Sequence, residues 1–489
     1  LLETNAIWQK HNGEINILEM QNDVAYQRRF TVVVYRKNGS QIARKNYDIP
    51  ANSQRDINLN KEFLTSVTDV SGVVRVTVTD STYDSGDDGL VGVAHGRLVA
   101  YKYAADGQKV DYAVTKPLDL SEGMKLGVSY LLYNSKQPQL NDADINNPVS
   151  QIIAISNLAT SRQSFQIATY NYKGELLATR ILSIPANATA NIRGGDTRNV
   201  AQPSRTGLHK ITPLNTDEAL YLAEIFRYSA RSNPAGSFAF GLVQSSRQGD
   251  WREYVPVSTR DSSDNYVEIS NTGEEAITNG RLNFYKKDGT KITRSFTLAA
   301  KAVKHLNVRS FFVTDQSGYL AIEADHTEGI LSTVRAKSGI NPMYVTMPRV
   351  HVLSATYWRN EANELLASVS VEGGNYYEQA MDVTSYSMKR GSTNSLRLSN
   401  FNDQSRTVTV TAYGAGVAKA KTINIGAHKT VGISLRDDDF FKLAENTSGN
   451  ILVHGAVIGQ LLRNGGGRIN EVDFALSTPV NITQYVMDF

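Results

Sequence analysis

Hydrophobic and polar positions alternate along most of this chain. Phe30, Val32 and Val34 point one way while Thr31, Val33 and Tyr35 point the other, and Val408, Val410 and Ala412 alternate with Thr407, Thr409 and Thr411. A period of two in valine, isoleucine, threonine and tyrosine predicts half-buried β-strands. No window carries an amphipathic helical stripe with capping residues. Lys37-Asn38-Gly39, Lys173-Gly174 and Lys287-Asp288-Gly289 follow strand-like runs and read as hairpin turns, where glycine or asparagine supplies a positive φ.

The alternating runs recur four times with one set of landmarks. An asparagine ends an apolar run at Asn22, Asn157, Asn271 and Asn400, and a tyrosine ends the next at Tyr35, Tyr170, Tyr285 and Tyr413. Asparagine to tyrosine spans 13, 13, 14 and 13 residues. An alanine follows at Ala51, Ala186, Ala300 and Ala427, after 16, 16, 15 and 14 residues. A glycine then opens another strand at Gly72, Gly207, Gly318 and Gly449, a further 21, 21, 18 and 22 residues on. More strand-like runs follow, such as those at 89–103 and 329–336. Each unit is then expected to close on Tyr112-Ala113-Val114, Tyr254-Val255-Pro256, Tyr344-Val345-Thr346 or Phe474-Ala475-Leu476. The asparagine is expected to cap a turn through its side chain, and the tyrosine to pack its ring at a strand end.

Seven or eight short strands in roughly 100 residues predict a β-sandwich of immunoglobulin or fibronectin-III type. The expected fold is therefore all-β, with four tandem sandwiches in a rod-like array. The expected boundaries are 1–117 for the first sandwich, 118–149 for a linker, 150–256 for the second and 257–348 for the third. An insert with an extra hairpin at 349–392 precedes the fourth sandwich at 393–489, which carries a C-terminal strand.

Composition narrows the chemistry. The chain has 489 residues, too many for one ordinary core, and no cysteine, which removes disulfides, thiolate metal sites and thiol catalysis together. Its 51 basic and 48 acidic residues nearly balance, which argues against a dedicated nucleic-acid binder. No apolar run is long enough to cross a bilayer as a helix. The chain opens Leu1-Leu2-Glu3 and not with methionine, with no charged and apolar leader in view, so the expectation is either that a leader has been removed or that the sequence has been trimmed. Four N-x-S/T triplets, at Asn38, Asn187, Asn446 and Asn481, match chance for this composition.

No catalytic constellation emerges. The eight histidines are scattered, with no HExxH, and neither a nucleophile elbow nor a phosphate-binding loop is present. The acidic stretches Asp84–Gly89 and Asp437-Asp438-Asp439 offer oxygen atoms to calcium, but they lack the ordered spacing of a calcium loop and read as solvated turns. No metal, cofactor or catalytic residue is expected.

Through the repeated landmarks, nearly the whole chain resembles bacterial extracellular surface and appendage proteins built from tandem immunoglobulin-like sandwiches. The resemblance lies at the level of fold grammar and implies a secreted or cell-surface stalk, adhesin or filament subunit. The leading expectation is a non-enzymatic structural protein that self-associates through edge strands and terminal segments. Ile7 and Trp8 near the start, and Val480, Ile482, Tyr485 and Val486 near the end, form strand-like runs without a partner in sequence and are the candidate assembly strands. Either they dock head-to-tail on a neighbouring subunit or they fold back on their own units. The alternative is a carbohydrate- or receptor-binding adhesin, with Tyr357, Trp358, Tyr376 and Tyr377 of the insert contacting a glycan or protein at the cell surface. Against that stands the reading in which these aromatics pack the insert onto its neighbour. A sandwich-borne hydrolase ranks last, for want of a nucleophile, metal or cofactor signature.

Overall fold

The computed structural model describes residues 3–22, 24–79, 94–105, 107, 110–120, 127–135, 149–194, 206–215, 220–230, 238–247, 249–260, 263–311, 316–324, 349–359, 365–374, 381–389, 392–414, 417–438, 440–465 and 474–482. Strands dominate, as the alternation predicts.

The first set comprises β1 (Glu3–Gln9), β2 (Ile15–Asn22), β3 (Arg28–Tyr35), β4 (Gln41–Ile49), β5 (Ser53–Asn58), the helical turn α1 (Leu59–Glu62), β6 (Ser71–Val78), β7 (His95–Tyr103), β8 (Val110–Pro117) and the short β9 (Asp119–Leu120). They form two antiparallel sheets, in the orders β4-β3-β6-β1-β9 and β5-β2-β7-β8. Trp8, Leu18, Met20, Phe30, Val32, Val34, Val74 and Leu98 fill the space between them. Full burial of each such side chain contributes about 1.5–3 kcal/mol.

The second set holds β10 (Ser129–Asn134), β11 (Ser150–Asn157), β12 (Gln163–Asn171), β13 (Leu176–Ile184), β14 (Thr189–Arg193), β15 (Thr206–Pro213), β16 (Tyr221–Ala230) and β17 (Phe238–Ser245). The third holds β18 (Arg252–Ser258), β19 (Asp264–Asn271), β20 (Ile277–Lys286), β21 (Lys291–Leu298), β22 (Val303–Asn307), β23 (Ser317–Glu323), β24 (Val350–Arg359) and β25 (Leu365–Glu372). Both repeat the connectivity of the first set, as β10-β15-β12-β13 with β14-β11-β16-β17, and as β18-β23-β20-β21 with β22-β19-β24-β25. The fourth set is β26 (Met381–Ser387), β27 (Thr393–Ser399), β28 (Arg406–Gly414), β29 (Val417–Ile425), β30 (Thr430–Ser434), β31 (Ser448–His454), β32 (Ile458–Gly465) and β33 (Phe474–Ile482). Here β33 pairs along β32 and also with Asp382 and Val383 of β26, joining both sheets into one of eight strands. Each set has its own apolar cluster.

Strand pairing moves several expected boundaries. The stretch read as a linker contains β10, which pairs with β15 as the first strand of the second set. Tyr254-Val255-Pro256, expected to close the second unit, lies in β18 and pairs with β23 of the third. The expected insert holds β24 and β25, the seventh and eighth strands of the third set, followed by β26. The runs at 329–336 and 344–346 lie outside the described residues.

The expectation of a rod with two free ends is not met. The eighth strands β8, β17, β25 and β33 touch in a closed cycle: β8 on β17, β17 on β25, β25 on β33 and β33 on β8. The last set therefore packs on the first.

Candidate functional site at the junctions between sets

The repeated landmarks hold each set together and tie it to the next. The Asn22 amide donates to the carbonyls of Tyr26, Ile49 and Pro50 at 2.8, 2.9 and 2.8 Å, while its oxygen accepts from the Val24 N–H. Asn157, Asn271 and Asn400 repeat the arrangement with their own neighbours. One side chain thus satisfies backbone groups on two connections that would otherwise be orphaned. The repeated glycine has a steric cause. A Cβ on Gly72, Gly207, Gly318 or Gly449 would lie 1.8–2.2 Å from the carbonyl oxygen of Tyr35, Tyr170, Tyr285 or Tyr413.

The hairpin that follows each tyrosine reaches into the next set. Thr189 N–H donates to Lys37 O at 2.9 Å, Val303 N–H to Tyr172 O at 3.0 Å and Thr430 N–H to Lys287 O at 3.1 Å. The receiving turn carries a residue in the left-handed region: Asn187, Lys301 or His428, at φ of 58, 60 and 57°. Their side chains face the preceding set. Asn187 Oδ1 accepts from Arg75, Lys301 Nζ donates to the Tyr130 hydroxyl at 2.8 Å, and His428 Nδ1 meets the Tyr319 hydroxyl at 2.9 Å. Two of the repeated tyrosines stand at these contacts, Tyr35 beneath Arg75 and Tyr285 stacked on His428. Burial, opposed by Glu274, lowers the Lys301 ammonium to about 8.

Buried ion pairs form a second layer of ties. Glu19 of β2 binds Arg97 of β7 at 2.6 Å and Arg463 of β32 at 2.9 Å, so the first and fourth sets share one carboxylate. Ser385 of β26 also donates to Glu19, and Arg97 donates to the Ser385 carbonyl. Burial alone would raise the Glu19 carboxyl, but the two guanidinium groups outweigh it and hold it well below the usual range. Between the second and third sets, Arg227 of β16 binds Glu268 of β19 at 2.7 Å, and Asn134 donates to the same carboxylate. Between the first and second, Lys116 of β8 binds Glu224 of β16 and the Ile7 carbonyl. Burial pushes the Glu224 carboxyl up against the pull of Lys116.

The 4-to-1 and 2-to-3 junctions use equivalent positions. Glu19 and Glu268 each lie three residues before the repeated asparagine. Arg463 and Arg227 each lie three residues beyond the residue opposite that place, Gln460 facing Arg397 and Glu224 facing Ala154. Sequence reading passed over these acids, although a glutamate at an otherwise apolar strand position is the signal that marks them.

Two of the aromatic residues expected to meet a glycan, Tyr357 and Trp358, are buried. Tyr357 is 3% accessible and packs on Phe240 and Tyr266, while Trp358 is 7% accessible and packs with Ala367, Val369 and Leu462. They fill the junctions of the third set with its neighbours, because β24 is an interior strand of its sheet. Tyr376 and Tyr377 lie outside the described residues.

The expected leading assembly strand is already paired. Ile7 faces Val73 and Trp8 faces Gly72 across β1 and β6, both side chains are buried, and the indole N–H donates to Tyr35 O at 3.1 Å. At the other end, Val480 pairs with Gly459 and Ile482 with Asp382, whereas Tyr485 and Val486 lie outside the described residues.

Of the acidic stretches, Asp84–Gly89 and Asp439 also lie outside them. Asp438 binds Lys421 at 2.7 Å and accepts from the Phe440 and Phe441 amides. Among the described residues no group of three or more His, Asp or Glu could hold a metal ion, and no helix is long and apolar enough to cross a membrane.

A scan against protein-family models matches nothing, and a search of curated proteins finds no match.

Proposed function

We propose that this protein is a non-enzymatic structural subunit. In this reading four immunoglobulin-like sandwiches close on one another into a ring, and the block self-associates through its outer sheet edges. One observation carries it: Glu19, Arg97, Arg463 and Ser385 join strands from both ends of the chain in a single buried cluster. Such a cluster is costly to assemble and costlier to leave half-paired, so it fixes one closed arrangement. The described buried ion pairs serve as ties between or within sets, which supports a scaffold over a catalyst. Exchange of the leading strand loses its support, because β1 is engaged within its own set. Among the described strands, β4, β13, β21 and β29 each end a sheet after the third strand of their set, and β5, β14, β22 and β30 end other edges. Unpaired N–H and C=O groups along such edges recruit further strands. The resemblance to bacterial surface proteins adds an extracellular or cell-surface location to the proposal.

The test is light scattering across a concentration series, combined with negative-stain microscopy. The expected outcome is a compact four-lobed particle whose mass rises with concentration. A beaded rod would remove the ring, and a monomer at every concentration would remove the self-association.

A further inference from the structure

The four outer edges are equivalent in topology but not in chemistry. β4 carries Arg44 and Lys45, β21 carries Lys291 and Arg294, and β29 carries Lys419 and Lys421. Charges of this kind blunt an edge against pairing with another chain. β13 has one charge, Arg180, along Leu176–Ile184, and it exposes apolar side chains instead. Leu176 is 57% and Ile181 is 63% accessible. At the place of Ile181, counted from the pairing with the preceding strand, the other edges hold Asn46, Ser295 and Thr422. The far side of β13 pairs with no other described strand.

We infer that β13 is the edge through which two copies of this chain associate, antiparallel about a two-fold axis at Thr179. This rests on the self-association proposed above and names its surface. An isologous contact needs a self-complementary patch, and Leu176-Leu177-Ala178-Thr179-Arg180-Ile181-Leu182 carries apolar residues two and three places to either side of Thr179, with Ala178 and Arg180 directly beside it. With Thr179 facing its own copy, Ile181 and Leu182 come opposite Leu177 and Leu176, where β13 carries a bulge in its pairing with β12. Arg180 faces Ala178, so the only charges in the segment do not oppose each other. Pairing β13 with β4, β21 or β29 of a second copy would instead set leucine and isoleucine against lysine and arginine. Continuous antiparallel pairing also joins the two β10-β15-β12-β13 sheets into one of eight strands.

The absence of cysteine gives a clean background for the test. Directly opposed residues have Cα atoms about 4.5–5.5 Å apart, within disulfide reach. Two copies of Ser183 in this register lie about 27 Å apart. Full-length Thr179→Cys is expected to form a covalent dimer on mild oxidation, and Ser183→Cys is expected to form none. Ile181→Lys is expected to weaken dimerisation at least tenfold in sedimentation equilibrium with an unchanged melting temperature, whereas Asn46→Lys on β4 leaves dimerisation as it was. Equal crosslinking at both cysteines, or a dimer indifferent to Ile181→Lys, overturns the assignment of β13 while leaving self-association standing. A wild-type chain that stays monomeric overturns both.

Discussion

Asn157 shows how much one side chain carries in this fold. Its amide is shared among the carbonyls of Ser161, Ile184 and Pro185, and its oxygen holds the Ala159 N–H. Each buried polar group left without a partner costs about 1–3 kcal/mol. Asn157→Ala is therefore expected to destabilise the second set by about 3 kcal/mol or more, read as a lower urea midpoint with the secondary structure retained. His209 gives a pH signature. Its ring lies against Tyr133, its Nδ1 is 3.0 Å from Thr169 Oγ1, and burial lowers it to about 3. The unfolded chain takes up that proton near about pH 6.5. Between those values the unfolded state binds more protons, so this contribution is complete above 6.5 and is lost as pH falls toward 3. His209→Gln should lose less melting temperature than the wild type between pH 7 and pH 5; equal losses would remove His209 as the cause. The asparagine landmarks were legible because spacing alone exposes them and a turn cap is a local device. Glu19 was not, since its partners lie 78 and 444 residues away in sequence.

At the scale of elements, the alternation revealed strands but not their partners. Tyr254-Val255-Pro256 resembles the segment around Tyr112 in composition, yet one begins a set and the other ends one. A period of two states that a face is buried; it is silent on which sheet does the burying. β10 escaped notice for a related reason, being a short strand at the edge of a polar stretch. The hairpin turns were readable, but their second role was not. Gly174 sits at φ 88°, and a Cβ there would lie 2.0 Å from the Ala300 carbonyl oxygen of the next set. Gly174→Ala is thus expected to loosen the junction between the second and third sets while sparing their cores. Faster proteolysis near residue 249, with little change in circular dichroism, is the expected result.

For the molecule as a whole, the all-β character was plain from sequence, and the closure was not. Glu19→Gln leaves Arg97 and Arg463 buried without a counter-charge, a change that typically costs about 3–5 kcal/mol. The expected outcome is a larger radius of gyration in X-ray scattering, with the four cores still folded. An unchanged radius and melting temperature would show that the cluster does not hold the ends together. The folded-state depression of Glu19 also sets the sign of its acid response. Its stabilisation is complete above the unfolded value of about 4.3 and is lost progressively as pH falls from there toward the much lower folded one, while the folded chain keeps Glu19 ionised throughout that window. Mild acid should therefore leave this junction shut.

The recurrence of the arginine–glutamate tie gives the molecule a two-fold character. The tie that joins the second set to the third recurs where the fourth meets the first, whereas the first and second sets are tied by Lys116 and Glu224. Residues 1–248 and 249–489 thus form two similar halves, each offering its second lobe to the other's first. Co-expressed fragments 1–248 and 249–489 should accordingly co-purify as a one-to-one complex, and fragments that never meet would show that these ties need the covalent link between the halves.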